Sequence, residues 1–250
     1  MATKSDMEIV VKALKANNFK SVEYVGKSAD AVKLILDMIP IDATIEMAGS
    51  VSVSQLGILD RLRERGNKGL NFPNPGDRAA FEAMMKSRKD ILLVSSNAVT
   101  LDGKLVNTDG MGNRVSGMIM GVKKVILLIG QNKVVSNLDE ALSRVQNTIA
   151  PYHAKYLGLN TPCAKTGKCE DCNSPQRICN ITTIITKKPP SVEFAIVLVG
   201  EDLGLGWDPN WPEERKEKIA AAYRTEIEKF RASLPPPPKP GGNSAASKSG

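Results

Sequence analysis

KVILLIGQ, from Lys124 to Gln131, is the stretch that decides the fold class. Its apolar side chains run from Val125 to Ile129 without a polar break and stop at Gly130. An amphipathic helix would interrupt such a run every third or fourth residue, and a half-buried strand would alternate. An unbroken run suits a strand covered on both faces, as in a parallel sheet. Working outward, DILLVSS (Asp90–Ser96) and EFAIVLVG (Glu193–Gly200) read as strands of the same kind. SVEYVG (Ser21–Gly26) and ATIEMAG (Ala43–Gly49) are shorter ones, and NFPNPG (Asn71–Gly76) is a loop. ITTIIT (Ile181–Thr186) lies close enough to EFAIVLVG for the two to be expected as a hairpin or as neighbours.

Between the strands the period changes to that of helices. EIVVKALKANN (Glu8–Asn18) is amphipathic and ends at its asparagines. ADAVKLILDMI (Ala29–Ile39) has Ser28 as its expected cap and Pro40 as its stop. SVSQLGILDRLRER (Ser52–Arg65) reads as one helix halted by Gly66. DRAAFEAMMK (Asp77–Lys86), LDEALSRVQNTI (Leu138–Ile149) and the charged PEERKEKIAAAYRTEIEKF (Pro212–Phe230) complete the set. Alternating strands and helices predict an α/β fold, a layered parallel-type sheet flanked by helices, spanning residues 1–232. The Pro/Gly/Ser-rich residues 233–250 bury too little to offset their ordering entropy and are expected to be a disordered tail.

Composition narrows the functional classes. No apolar run approaches the roughly 20 residues of a membrane span, and no apolar leader opens the chain, so a cytoplasmic location is expected. The net charge of +7 is scattered, and aromatics make up only 4% of residues, which gives a nucleic-acid surface little support; the excess reads as a solvated surface or as a site that meets anionic ligands. His153 is the sole histidine, so any Ser–His–Asp or Cys–His mechanism must use it.

All four cysteines lie in one run, TPCAKTGKCEDCNSPQRICN, within residues 161–180. Cys163, Cys169, Cys172 and Cys179 have the spacing C-x5-C-x2-C-x6-C. In a reducing compartment this density argues for metal ligation over disulfides, and four soft thiolates suit a [4Fe–4S] cluster or, alternatively, zinc. Lys165, Lys168 and Arg177 are placed to offset thiolate charge.

Ser95 to Gly121 is polar and holds five glycines. A strand leads in and a buried strand follows, which places the stretch among the loops that line ligand crevices in open α/β sheets. Asn97, Asn107 and Asn113 supply polar contacts, and Arg114 an anion partner. Asp102 and Asp109 are the candidate acid–base residues. DG and NTDG are also ordinary turn sequences, and neither the dinucleotide fingerprint nor a P-loop is present.

TLDGKLVNTDGMGNRV together with the upstream EMAGSVSV resembles the lactate-utilisation (LUD) domain family, and the cysteine run resembles that of a single-domain branch of it. The resemblance covers residues 7 to 231. It implies the fold of ribose-5-phosphate isomerases and CoA transferases, with one pocket lined by Glu46, Gly49, Ser50, Asn97, Asp102, Gly103, Asn107, Asp109, Gly110, Asn113 and Arg114. It further implies an iron–sulfur role in oxidising lactate to pyruvate, alongside redox partner subunits. The tandem ferredoxin-type cysteine runs of the family's large subunit are missing here, as is a flavin fingerprint. Two other readings stay open: an isomerase- or transferase-like enzyme on a phosphorylated or CoA-linked metabolite with structural zinc, and a non-catalytic redox-sensing assembly protein.

Overall fold

A computed structural model describes residues 3–68 and 89–233. The strands are β1 (Ser21–Val25), β2 (Ile45–Glu46), β3 (Lys89–Val94), β4 (Ala98–Thr100), β5 (Leu105–Asp109), β6 (Val122–Gly130), β7 (Val134–Val135), β8 (Ile181–Ile185) and β9 (Glu193–Val199). Five of them form a sheet in the order β1-β9-β6-β3-β2, every neighbouring pair parallel. The helices α1 (Lys4–Ala16), α2 (Ser28–Asp37), α3 (Val51–Ser54) and α4 (Ile58–Glu64) flank this sheet.

The run that opened the sequence reading is β6, the middle strand. Val125, Leu127 and Ile129 face a core shared with Met7, Val10 and Leu14 of α1. Ile126 and Leu128 face the opposite core, with Ala31 and Ile35 of α2 and Leu62 of α4. Each of these five side chains is fully buried, worth about 1.5–3 kcal/mol apiece. A polar residue anywhere in the run would have faced one core or the other.

A second, four-stranded sheet, β7-β4-β5-β8, was not foreseen. It arises from the stretch read as polar loop: Ala98–Thr100 and Leu105–Asp109 pair antiparallel across a turn at 101–104. ITTIIT joins this sheet against β5 and not EFAIVLVG, so the expected hairpin does not form. Ile185 is buried while Ile181 and Ile184 stay exposed, which fits an edge strand and not the middle of a two-faced sheet.

Smaller corrections have local causes. The expected helix over 52–65 splits at Gly57, whose φ is +61°. The strand in ATIEMAG is only Ile45–Glu46. Lys27, not Ser28, is the residue preceding α2, and the Ser28 hydroxyl instead donates to Glu201 at 2.6 Å. After α5 (Asn113–Ser116), the helix α6 (Leu138–Arg144) runs on past the expected end at Ile149. It widens to a π turn over Val145–Ile149 and continues as α7 (Ala150–Leu157). Pro151 has no N–H to give, and the wider turn stands directly before it. α8 (Pro162–Thr166) opens the cysteine loop, and α9 (Glu213–Ser233) is the charged helix. The expected loop at 71–76, the helix at 77–86 and nearly all of the tail lie outside the described residues. No helix among those described is long and apolar enough to cross a membrane.

Candidate functional site

All strands of the parallel sheet point their carboxyl ends the same way, and the segments leaving β2, β3, β6 and β9 meet there. Such a meeting of loops is where open α/β sheets place their ligands. Ser95 and Ser96 follow β3, Gln131 to Lys133 follow β6, and Leu203 to Gly206 come after β9. Gly204 marks how tightly they meet: a side chain there would run into the Ser52 hydroxyl and lie 3.2 Å from Lys133 Nζ. The Ser52 hydroxyl and Lys133 therefore crowd one small space against the Gly204 backbone, which leaves no room for a side chain there.

Lys133 is the chemical centre of this space. It is 5% exposed, and its Nζ donates to Ser95 Oγ at 3.0 Å. Among the described residues it forms no salt bridge. Burial, with the positive Arg114 adding to it, pushes the amine down to about 7. The hydroxyls of Ser50 and Ser52 and the side-chain amide nitrogen of Asn107 are buried and have no hydrogen-bond partner among the described residues.

Arg114 is held by the second sheet. Its Nε and Nη2 donate to Asp109 Oδ1 at 2.9 and 2.5 Å, and Nη2 also donates to Asn97 Oδ1 and the Thr108 carbonyl, each at 2.8 Å. Asp109 Oδ2 accepts from the Val115 amide at 3.0 Å. Asn97 Oδ1 also accepts from the Thr108 amide at 2.8 Å, and Asn107 Oδ1 accepts from the Asn97 amide at 3.3 Å. Among the described residues, Arg114 Nη1 makes one long bond, 3.4 Å to the Ser95 carbonyl. Asp109 is thus a positioning partner of Arg114, with its carboxylate already engaged.

The structure brings together Asn97, Asn107, Asp109 and Arg114 from the expected set. Ser50 directly precedes α3, the short helix that carries Ser52, and Asn113 opens the short helix that carries Arg114. Gly49 takes a φ of +68° in the same segment as Ser50. Glu46 ends β2, and burial pushes its carboxyl up. Gly110 packs against the cysteine loop, where a side chain's Cβ would lie 3.2 Å from Ile178 Cα. Asp102 and Gly103 do not join them. They occupy the turn at the far end of the β4–β5 hairpin, where Asn17 Nδ2 donates to both of their carbonyls. The Asp102 carboxylate, 58% exposed, pairs with Lys104 and Thr100, which hold it below the usual carboxylate range.

Sequence reasoning passed over Lys133, Ser52 and Ser95 as site residues. The signal for Lys133 was available: a lone lysine between the apolar strand ending at Gly130 and the pair Val134–Val135. His153 is near enough to Arg114 to feel its charge. Its Nδ1 pairs with Tyr223 Oη, and burial aided by Arg114 pushes its imidazole down to about 4, so it is neutral at pH 7.

The cysteine loop abuts the same end of β5. Asn180 donates its amide to the Asp109 carbonyl and its side chain to the Gly110 carbonyl, both at 3.0 Å. All four cysteines are half-buried free thiols. Arg177 donates to the Cys172 carbonyl at 2.7 Å, and the Gln146 amide reaches Cys169 Sγ at 3.5 Å. Burial pushes the Cys179 thiol up; Arg177 opposes this, and Cys169 and Cys163 add to it from within electrostatic reach. The donor set suits a soft metal in kind and number. Among the described residues, no group of three or more His, Cys, Asp or Glu side chains is gathered as a metal ion would require.

Comparison with known proteins gives one family. The profile of the LUD domain matches residues 7–199. Among solved structures, a DUF162 family protein from Deinococcus radiodurans superposes with a TM-score of 0.41 at 9% identity, over 78% of this chain and 96% of that one. The curated proteins contain no match.

Proposed function

The chain belongs to the LUD domain family, a family associated with lactate utilisation, and on that footing we propose that it binds a small 2-hydroxy or 2-oxo acid at the Lys133–Arg114 centre. The observation that carries this reading is Lys133 itself. A fully buried amine with no acidic partner among the described residues costs free energy that a bound carboxylate would return. The free hydroxyl of Ser52 and the underused Nη1 of Arg114 supply the donors such a carboxylate needs. Melting curves with lactate, pyruvate, sugar phosphates and acyl-CoAs test it. Stabilisation by the two small acids is expected. A response to phosphates or CoA esters alone would replace this reading with the isomerase- or transferase-like one.

The second reading concerns the loop at 161–180. Cys163, Cys169, Cys172 and Cys179 would hold a [4Fe–4S] cluster, or alternatively zinc, closing round it as it binds. A cluster would supply one-electron relay towards redox partner subunits; zinc would only staple the loop. What supports this is four unpaired thiols in one loop that is tied through Asn180 to the strand holding Asp109. Iron, zinc and acid-labile sulfide analysis of protein purified without oxygen decides between the two metals. A folded preparation with neither would end this reading.

A further inference from the structure

We propose that Lys133 is an imine-forming lysine, whose amine condenses with the ketone carbon of a 2-oxo acid while Arg114 and the Ser52 hydroxyl hold the acid's carboxylate. The proposal rests on the anion-binding reading above and adds covalent chemistry to it. Three observations carry it. Among the described residues the Lys133 amine makes one hydrogen bond, to the Ser95 hydroxyl at 3.0 Å, and packs with the Ser52 hydroxyl against the Gly204 backbone. Groups that could receive a carboxylate lie beside it: the Ser52 hydroxyl, unpartnered among the described residues, and Arg114 Nη1, whose one bond is a long one to the Ser95 carbonyl. The Arg114 side chain is 15% exposed while Lys133 is buried, so an approaching acid would meet the guanidinium before the amine. An acid entering carboxylate-outward thus presents its ketone to the amine.

Burial adds support, since the amine is pushed down to about 7 and a large share is neutral and nucleophilic near that pH. The charged group that acts on it is Arg114, and the Asp109 carboxylate is occupied by Arg114. In the step, a bond forms between Lys133 Nζ and the ketone carbon. The carbonyl oxygen then leaves as water with the two amine hydrogens, and a carbon–nitrogen double bond remains. No oxidant or reductant is consumed. A 2-hydroxy acid has no ketone, so lactate would bind here without reacting.

Borohydride trapping tests this on the full-length protein. Wild-type protein is incubated with pyruvate, reduced with borohydride, digested and mapped by mass spectrometry. A reduced pyruvyl group on the Lys133 peptide is expected, lost in Lys133→Arg and suppressed by excess lactate. Mapping on the wild type locates the adduct even if the arginine variant fails to fold. Absence of the adduct, or modification spread evenly over surface lysines, overturns the imine. If pyruvate still raises the melting temperature without forming an adduct, the anion site stands and only the covalent step fails. If it does neither, both readings fail.

Discussion

Replacing Lys133 with methionine removes the buried amine while keeping a side chain of similar length and volume. An amine lowered from 10.5 to about 7 carries a charged-form penalty of about 5 kcal/mol, at about 1.4 kcal/mol for each pKa unit. Against this, the variant loses the bond to Ser95 Oγ, about 1–3 kcal/mol, although that hydroxyl keeps its own donation to the Ser96 carbonyl. Below about pH 7, Lys133→Met should therefore be more stable than wild type by about 2–4 kcal/mol, or roughly 5–15 °C in melting temperature for a chain of this size. The sign with pH follows from where the proton leaves. The folded wild type releases it near 7, the unfolded chain only near 10.5, so wild-type stability rises across that window. About 2 kcal/mol of the penalty remains at pH 9, and there the variant's advantage should close. Denaturant unfolding of both proteins from about pH 6.5 to 10 is the assay. A variant that is less stable at the acid end, or a difference that stays flat across the range, would refute the reasoning that an unpaired amine is buried here.

Other outcomes follow from the same geometry. Arg114→Ala strands the Asp109 carboxylate, only 5% exposed, and should cost about 3–5 kcal/mol in denaturant unfolding as well as abolishing stabilisation by small acids. Asp102→Asn should leave acid binding unchanged in a calorimetric titration, because Asp102 sits in the exposed hairpin turn away from Arg114. Gly103→Ala forces a side chain to within 2.8 Å of the Ala13 backbone at a φ of +80°, and should lower stability by about 1–3 kcal/mol in thermal melts. Cys172→Ser should reduce bound metal and stability together, and unchanged metal stoichiometry would rule out a four-cysteine site.

How much of this was legible in the sequence depended on whether local pattern and burial agreed. The run from Val125 to Ile129 announced a strand with both faces covered because no partner identity was needed to read it. The second sheet was hidden for the opposite reason. β4 has three residues, and its partners β5 and β7 carry polar or very short runs, so pairing and not periodicity defines them. Arg114, Asp109 and Asn97 could be picked out because charged and amide residues crowded among glycines have few structural roles. Asp102 looked the same in the string, and only the hairpin, which puts its turn at the far end from Arg114, separates it from Asp109. Lys133 failed to stand out because a lysine in isolation reads as surface, and its burial is produced by segments that arrive from Ser52, Ser95 and Gly204.

The experiment to make first is the titration of Lys133 itself, followed through its Cε resonance by NMR with and without saturating lactate. A value near 7 is expected in the free protein, moving up strongly once lactate is bound, because a carboxylate beside the ammonium favours the charged form. An ordinary lysine value in the free protein, or one that lactate leaves unmoved, would contradict it.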